Sequence, residues 1–232
     1  MAHIIRNVGE YIYQGISWVI SVAQTVSETI QIWAKRYKQY RNALETHRKY
    51  IGSVLDSKEE YEPEIIDIVL CERLKEVISK IDNGKLIEQI KHMSLEQRKK
   101  YIEQVLFPTI SKEMEVNISF SGWFRSNSTA GVYSEKVMGI AMNEVFLASD
   151  NDYVLYFMIN TIVHECKHAM QWDAVQGRNT HGYSVELIEK WRRNFNDYIE
   201  PIESDEGYLK QPVEWDASSF AESVYPTDNI LN

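Results

Sequence analysis

Two histidines four residues apart, His164 and His168, enclose a glutamate, Glu165. On an α-helix these histidines lie on one face, one turn apart, so both imidazoles can bind the same tetrahedral zinc ion. Glu165 can reach a water on that zinc without being a ligand itself. Zinc lowers the pKa of such a water from about 16 towards neutrality, and the carboxylate accepts its proton as the water attacks a carbonyl. The spacing therefore predicts a zinc-dependent hydrolase with Glu165 as its general base.

A catalytic zinc site needs a third protein ligand and one open position. Six downstream side chains could supply the ligand: Asp173, His181, Glu186, Glu189, Asp205 and Glu214. Glu214 is the preferred one, because Pro212 marks a helix start and places Glu214 in the first turn. Ala217 and Ser218 share its face and are small enough for a close approach to the histidine helix. The alternative for Glu214 is an ordinary first-turn glutamate, stabilised by the helix dipole.

Three further residues have predicted roles around the metal. Tyr208 is predicted to donate a hydrogen bond to the developing oxyanion, with Tyr183 and His181 as rivals. Asp216 is predicted either to orient a ligand histidine or to face solvent. Among the remaining positions, Gln171 is expected to tie the histidine helix to a neighbour, and Cys166 to be a small buried residue.

The first half of the chain has a helical pattern. Apolar residues recur at three- and four-residue steps over residues 12–30, and the pattern continues to Tyr50. The basic residues within 35–49 are typical of a solvated helix face, the alternative being a site for an anionic partner. A further helix is predicted from Pro63 to Ile81.

The remaining elements follow from turn and strand signals. After a turn at 82–84, a helix is predicted to end at Phe107, with Pro108 closing it and with a capping box formed by Ser94 and Gln97. Strands are predicted over 115–120 and 137–147, separated by a loop rich in Ser, Asn and Gly. The apolar run 153–163 predicts a buried helix leading into the histidines, followed by helices over 183–199 and 212–224.

Composition narrows the class of protein. The net charge of -9 and the pI near 5.2 disfavour nucleic acid as a partner, because a phosphate backbone requires a basic surface. Residues 11–27 carry no charge, but they are too polar and too few for a membrane span, so an amphipathic helix is preferred over a signal peptide. Cys71 and Cys166 are expected to be free thiols in a reducing, cytoplasmic compartment.

The segment His164 to His168, with a helical glutamate downstream, resembles the gluzincin branch of the zincin metallopeptidases. More closely, His-Glu-x-x-His-x-x-Gln at 164–171 with Tyr-x-x-x-Pro-x-Glu-x-Asp-Ala at 208–217 resembles small bacterial and phage-associated metallopeptidase-like domains, some of them toxin or effector modules. The resemblance spans roughly residues 110–225. It implies a strand beside the cleft, expected within Gly139 to Leu147, along which a peptide substrate pairs through its main chain. The chain lacks the glycine and third histidine that follow this motif in metzincins.

These observations predict an α+β fold, mostly helical, with a small sheet beside the active-site helix. Residues 1–107 are predicted to be a helical N-terminal region and residues 108–232 a zincin-like metallopeptidase domain. The predicted activity is zinc-dependent hydrolysis of a protein or peptide substrate. One alternative is an inactive, metal-stabilised interaction module. Another is an exported effector protease, delivered by its N-terminal helices, to which a partner or immunity protein would bind.

Overall fold

The computed structural model describes residues 63–126, 129–200 and 203–225, all of which belong to one compact unit. The predictions for residues 11–50, including the amphipathic helix and the basic segment, lie outside the described residues. Helices in chain order are α1 (Ile65–Lys80), α2 (Leu86–His92), α3 (Leu95–Tyr101), α4 (Phe107–Glu113), α5 (Glu144–Leu147), α6 (Asp152–Val175), α7 (Val185–Asn196), α8 (Asp205–Lys210) and α9 (Pro212–Val224). The strands are β1 (Ser119–Phe124), β2 (Gly131–Ser134) and β3 (Gly139–Asn143). This part of the chain is α+β and mostly helical, as predicted.

Helix α6 is the centre of the fold. It begins after Asn151, whose side chain accepts a hydrogen bond from the backbone N–H of Val154. Its 24 residues are buried on nearly all sides, and it contacts α4, α5, α7, α9 and strand β2. A helix that is apolar all round is stable only when other elements cover every face. The predicted buried helix is therefore confirmed, and it carries both histidines of the motif.

The helix expected to end at Phe107 instead continues to Glu113. A π-helical turn, Ile102–Leu106, precedes Phe107, and Pro108 lies in the first turn of α4. A proline removes one backbone donor and clashes with the preceding turn of a regular helix, so the wider π turn accommodates it. The prediction that Pro108 closes the helix is wrong. The predicted capping box of Ser94 and Gln97 is confirmed at the start of α3.

The sheet has the strand order β1-β3-β2, with β3 parallel to β1 and antiparallel to β2. The second predicted strand is shorter than expected, because Asn143 ends β3 and its side chain accepts from the N–H of Val145 at the start of α5. Strand β2 lies between the predicted loop, which ends at Gly131, and the second predicted strand, in residues for which no element was predicted. It is the edge strand that packs on α6. Strand β3 and helix α5, which together span Gly139 to Leu147, also contact α6, so β2 joins the predicted segment beside the histidine helix.

Arg98 is a buried charged residue that joins two loops. Its guanidinium forms an ion pair with Asp150 and donates to four backbone carbonyls, those of Lys91, Met93, Leu147 and Ser149. These carbonyls lie near the ends of α2 and α5, where helix carbonyls lack partners. Arg98 thus fixes the approach to the first turn of α6.

Helices α1 and α4 pack with the histidine-bearing part of the chain, since α1 contacts α9 and α4 contacts α6. The predicted division between residues 107 and 108 falls at the first two residues of α4. Whether residues 1–107 form a separate region stays a prediction. Among the described helices, none is both long enough and apolar enough to cross a membrane.

Candidate metal centre

Helices α6 and α9 bring together the three predicted metal ligands. The Nε2 atoms of His164 and His168 are 2.9 Å apart, and they lie 3.3 and 3.2 Å from the two carboxylate oxygens of Glu214. Ligand atoms about 2.0 to 2.2 Å from a tetrahedral zinc stand about 3.3 to 3.6 Å from one another. The two distances from the imidazoles to the carboxylate are close to this spacing, whereas the two Nε2 atoms are nearer to each other and would move apart by about 0.4 Å around an ion. The donor set is one that zinc accepts. Within the described ranges this is the one cluster of three or more such residues close enough to hold a metal.

Each histidine is also held through its second ring nitrogen. The Nδ1 of His168 lies 2.9 Å from Oε1 of Gln171, and the Nδ1 of His164 lies 3.2 Å from Oγ of Ser218. When Nδ1 carries the proton and donates it, the Nε2 lone pair is free for a metal. The small residue at position 218, expected to allow a close helix approach, also binds one of the histidines.

Gln171 links the histidine helix to α9, as the sequence predicted. Its amide nitrogen donates to the carbonyl of Val213 (3.0 Å) and to Oδ2 of Asp216 (2.6 Å). Because both neighbours of that nitrogen are acceptors, the amide oxygen must face His168. Asp216 therefore acts on the histidine through Gln171 and does not contact the ring directly; the prediction that it faces solvent is wrong, since it is 5% exposed.

The electrostatics of this cluster favour a cation. Burial raises the pKa of Glu214, but the imidazoles of His168 and His164 outweigh burial and hold that pKa well below its usual range. Burial alone would lower the pKa of His168. The carboxylate of Glu214 outweighs burial and raises this pKa to about 9. The site is therefore built around a buried carboxylate that is only 3% exposed and requires a positive partner.

Glu165 is buried beside the cluster and is held by strand β2. Its Oε2 accepts a hydrogen bond from the backbone N–H of Tyr133 at 2.7 Å. Burial raises the pKa of Glu165, although His164 and His168 lower it. A carboxyl group with a raised pKa is a stronger base than an exposed one.

The contact between β2 and α6 requires a glycine. In an antiparallel pair, every second residue of a strand directs its N–H and carbonyl groups towards the partner strand. Ala130 does so, because its carbonyl accepts from the N–H of Asn143, so the backbone groups of Gly131 and Tyr133 face away from β3. A Cβ atom at Gly131 would lie 2.6 Å from Cγ2 of Thr161 and 3.3 Å from Cγ of Glu165. Only a residue without a side chain lets the strand approach this closely.

Two tyrosines adjoin the ligand carboxylate. The hydroxyl of Tyr198 donates to Oε1 of Glu214 at 2.6 Å. Tyr208, the predicted oxyanion donor, lies on α8; burial raises the pKa of its hydroxyl, and the charges of Glu214, Tyr198 and Glu165 raise it further. The tyrosine rings are 6.1 Å apart at right angles. Both stay protonated donors near the cluster, and the structure leaves the predicted role of Tyr208 open.

The rival ligands and donors lie elsewhere. Asp173 pairs with Arg178 at 2.8 Å, and Nε2 of His181 lies 3.9 Å from Asp173. Tyr183 contacts Lys167 through its hydroxyl. Of the remaining candidate ligands, Glu186 is exposed on α7 and Glu189 forms an ion pair with Arg192. The side chain of Asp205 is not among the described side chains. Both cysteines are free and buried, and burial raises the pKa of the Cys166 thiol.

Sequence reasoning missed Tyr198, the Tyr133 backbone donor and the environment of Lys167. Tyr198 follows the end of α7 and shares no helical spacing with Glu214, and a backbone donor has no residue signature. Lys167 did carry a signal, because a lysine inside an otherwise apolar helix needs a buried partner.

Comparison of the chain with protein-family models, curated proteins and solved structures found no match.

Proposed function

We propose that the chain is a zinc-dependent peptidase of the zincin type, with zinc held by His164, His168 and Glu214. The observation that supports the proposal is the convergence of two Nε2 atoms and a buried carboxylate within 3.3 Å of one another, beside a second carboxylate that is not one of the three. Two histidines and a glutamate are a ligand set of catalytic zinc, which keeps its fourth position for water or substrate.

Bound zinc would supply Lewis acidity, lowering the pKa of a water and polarising a substrate carbonyl. Glu165 would accept the proton of the attacking water and deliver it to the leaving amine. The N–H of Tyr133 anchors Oε2 of this carboxylate, so Oε1 would be the oxygen that takes the proton. Tyr208 and Tyr198, whose hydroxyls lie beside Glu214, would be the candidates to steady a developing oxyanion.

A peptide is the proposed substrate because β2, an edge strand of the sheet, borders the site. An extended chain can add to such an edge through main-chain hydrogen bonds. The N–H of Tyr133 is already bound to Glu165, so pairing with a substrate would use the outward carbonyls of Gly131 and Tyr133. Nucleic acid remains disfavoured by the acidic charge of the chain.

The two rivals make different predictions about the site. A metal-stabilised interaction module needs no base, and a structural zinc usually has a fourth protein ligand; the cluster here has three members in the described part of the chain. The predicted export as an effector and the predicted partner of the N-terminal helices depend mainly on residues before 63, which lie outside the described ranges. Export, such a partner and cytoplasmic localisation all remain predictions.

The test combines metal analysis with peptide cleavage. Purified protein should contain about one zinc per chain, and His168→Ala should lose it. Zinc-loaded wild type should cleave members of a fluorescence-quenched peptide library, whereas Glu165→Gln should keep its zinc and lose about 10²- to 10⁴-fold in rate.

Glu186→Gln is the matched control, since it makes the same chemical change at an exposed position on α7. It should retain both zinc and cleavage. Normal cleavage by Glu165→Gln would reject Glu165 as the base, and a zinc-free wild type would reject the site.

A further inference from the structure

Lys167, inside the histidine motif, has a fully buried ammonium on another face of α6. Its Nζ lies 2.5 Å from Oδ1 of Asp67 on α1, 2.6 Å from the hydroxyl of Tyr183, and 3.5 Å from Oδ2 of Asp216 on α9. The rings of Tyr183 and Phe220 lie 4.4 and 4.8 Å from the ammonium. This one side chain therefore connects three helices through charge.

The same Asp216 oxygen that faces Lys167 also accepts from Gln171, which in turn holds His168. A continuous series of polar contacts thus runs from Asp67 on α1 through Lys167, Asp216 and Gln171 to Nδ1 of His168. The series begins at Asp67, well before the region that carries the zincin resemblance.

Helix packing alone does not account for this series. Burying an ammonium and two carboxylates costs solvation, and apolar side chains of the same volume often hold helices together as well or better. What apolar side chains cannot do is fix the direction of a carboxylate and an amide. A polar partner that orients a ligand histidine does require such fixed directions.

We propose that Lys167 and Asp67 are positioning residues for the metal ligand His168, acting through Asp216 and Gln171. Asp67 holds the ammonium, the ammonium holds the Asp216 carboxylate, and that carboxylate sets the Gln171 amide so that its oxygen receives the Nδ1–H of His168. Helix α1 is on this account part of the metal centre. The proposal rests on the proposed zinc site, but its geometry is that of the metal-free protein.

The test uses the full chain and two readouts. The first is zinc affinity, measured by competition with a chromogenic chelator. The second is solvent exchange of the His168 Nδ1 proton in the metal-free protein, followed by proton NMR with ¹⁵N-labelled histidine. Lys167→Met and the double variant Asp67→Asn/Lys167→Met should each weaken zinc binding by about 10- to 100-fold and accelerate this exchange.

The double variant separates positioning from folding. It removes the ammonium and the charge of Asp67 together, so only the carboxylate of Asp216, which keeps the Gln171 amide as a donor, loses the ammonium. The double variant should therefore fold even if Lys167→Met does not. Arg73→Met is the matched control, because it breaks an α1 ion pair, with Glu113 on α4, that has no link to His168. It should leave both readouts at the wild-type level.

Wild-type zinc affinity and wild-type Nδ1 exchange in the folded double variant would overturn the proposal and reduce Lys167 to a stability element. A wild type that binds no zinc would reject the proposed function instead. In that case the Nδ1 exchange rates of the metal-free variants still decide whether the series positions His168.

Discussion

Gly131→Ala is expected to destabilise the protein by separating β2 from the histidine helix. The added methyl would lie 2.6 Å from Cγ2 of Thr161 and 3.0 Å from Sδ of Met142. Overpacking of this kind costs about 1 to 3 kcal/mol, and the loss of glycine freedom in the unfolded chain returns about 0.4 to 1 kcal/mol. The net expectation is a loss of about 1 to 2 kcal/mol, which lowers Tm by roughly 2 to 8 °C for a chain of this size.

Thr161→Ser supplies the matched rescue. It removes the methyl that collides with the new Cβ and keeps the hydroxyl that donates to the carbonyl of Phe157. Chemical unfolding of the wild type, both single variants and the double variant gives the coupling energy. The double variant should be more stable than the sum of the single changes predicts, by about 1 kcal/mol.

A second readout is peptide cleavage, because a displaced β2 would withdraw the Tyr133 donor from Glu165. Gly131→Ala should lower the cleavage rate more than Val132→Ala, which alters an exposed position on the same strand. Gly131→Ala with wild-type stability, or a double variant without coupling to Thr161, would refute the packing argument.

Other variants test the metal centre and its supports. Arg98→Met should lower the free energy of unfolding by about 1 to 3 kcal/mol in urea titration, since it leaves the buried carbonyl of Leu147 and the part-buried carbonyl of Ser149 without these donors; a loss below about 0.5 kcal/mol would contradict this. In chelator-treated protein, the folded chain binds a proton at His168 more tightly than the unfolded chain does, because the folded pKa is about 9. This contribution to the free energy of unfolding should be complete below about pH 6.5 and should disappear as pH rises through about 9. The His168→Gln variant should lack this decline in stability. Tyr198→Phe should weaken zinc binding about tenfold by removing the donor to Glu214, whereas Tyr208→Phe should keep zinc and lower kcat by about 10²-fold or more if it serves the oxyanion; the reverse pattern would exchange the two roles.

Local rules predicted the elements that carry the metal ligands. The apolar run before His164 predicted a buried helix, and Pro212 predicted the first residue of α9. Spacing then placed both histidines on one face, and the small residues after Glu214 predicted the close approach of the two helices. Each of these signals depends on neighbours within about one or two turns of the same helix.

Features that depend on partners distant in sequence were not predictable in this way. Strand β2 has only two strand-forming residues, Val132 and Tyr133, which is too short a run to predict a strand, and β3 and α6 lie on either side of it. Pro108 has the signature of a helix end, yet the preceding π turn and tertiary packing keep the helix going. The partners of Lys167 come from α1 and α9, which no spacing rule connects to the motif.

The pairing of His168 with Glu214 closes a long loop of the chain, from the end of α6 to the start of α9. A metal ion bound there only in the folded state would stabilise the fold through its binding free energy, by about 2.7 kcal/mol when the free ion is at about 100 times its Kd. Such an ion would act as a reversible cross-link, in a protein whose two described cysteines form none. Loss of the ion would loosen α7 and α8 together, making them the first segments open to proteolysis.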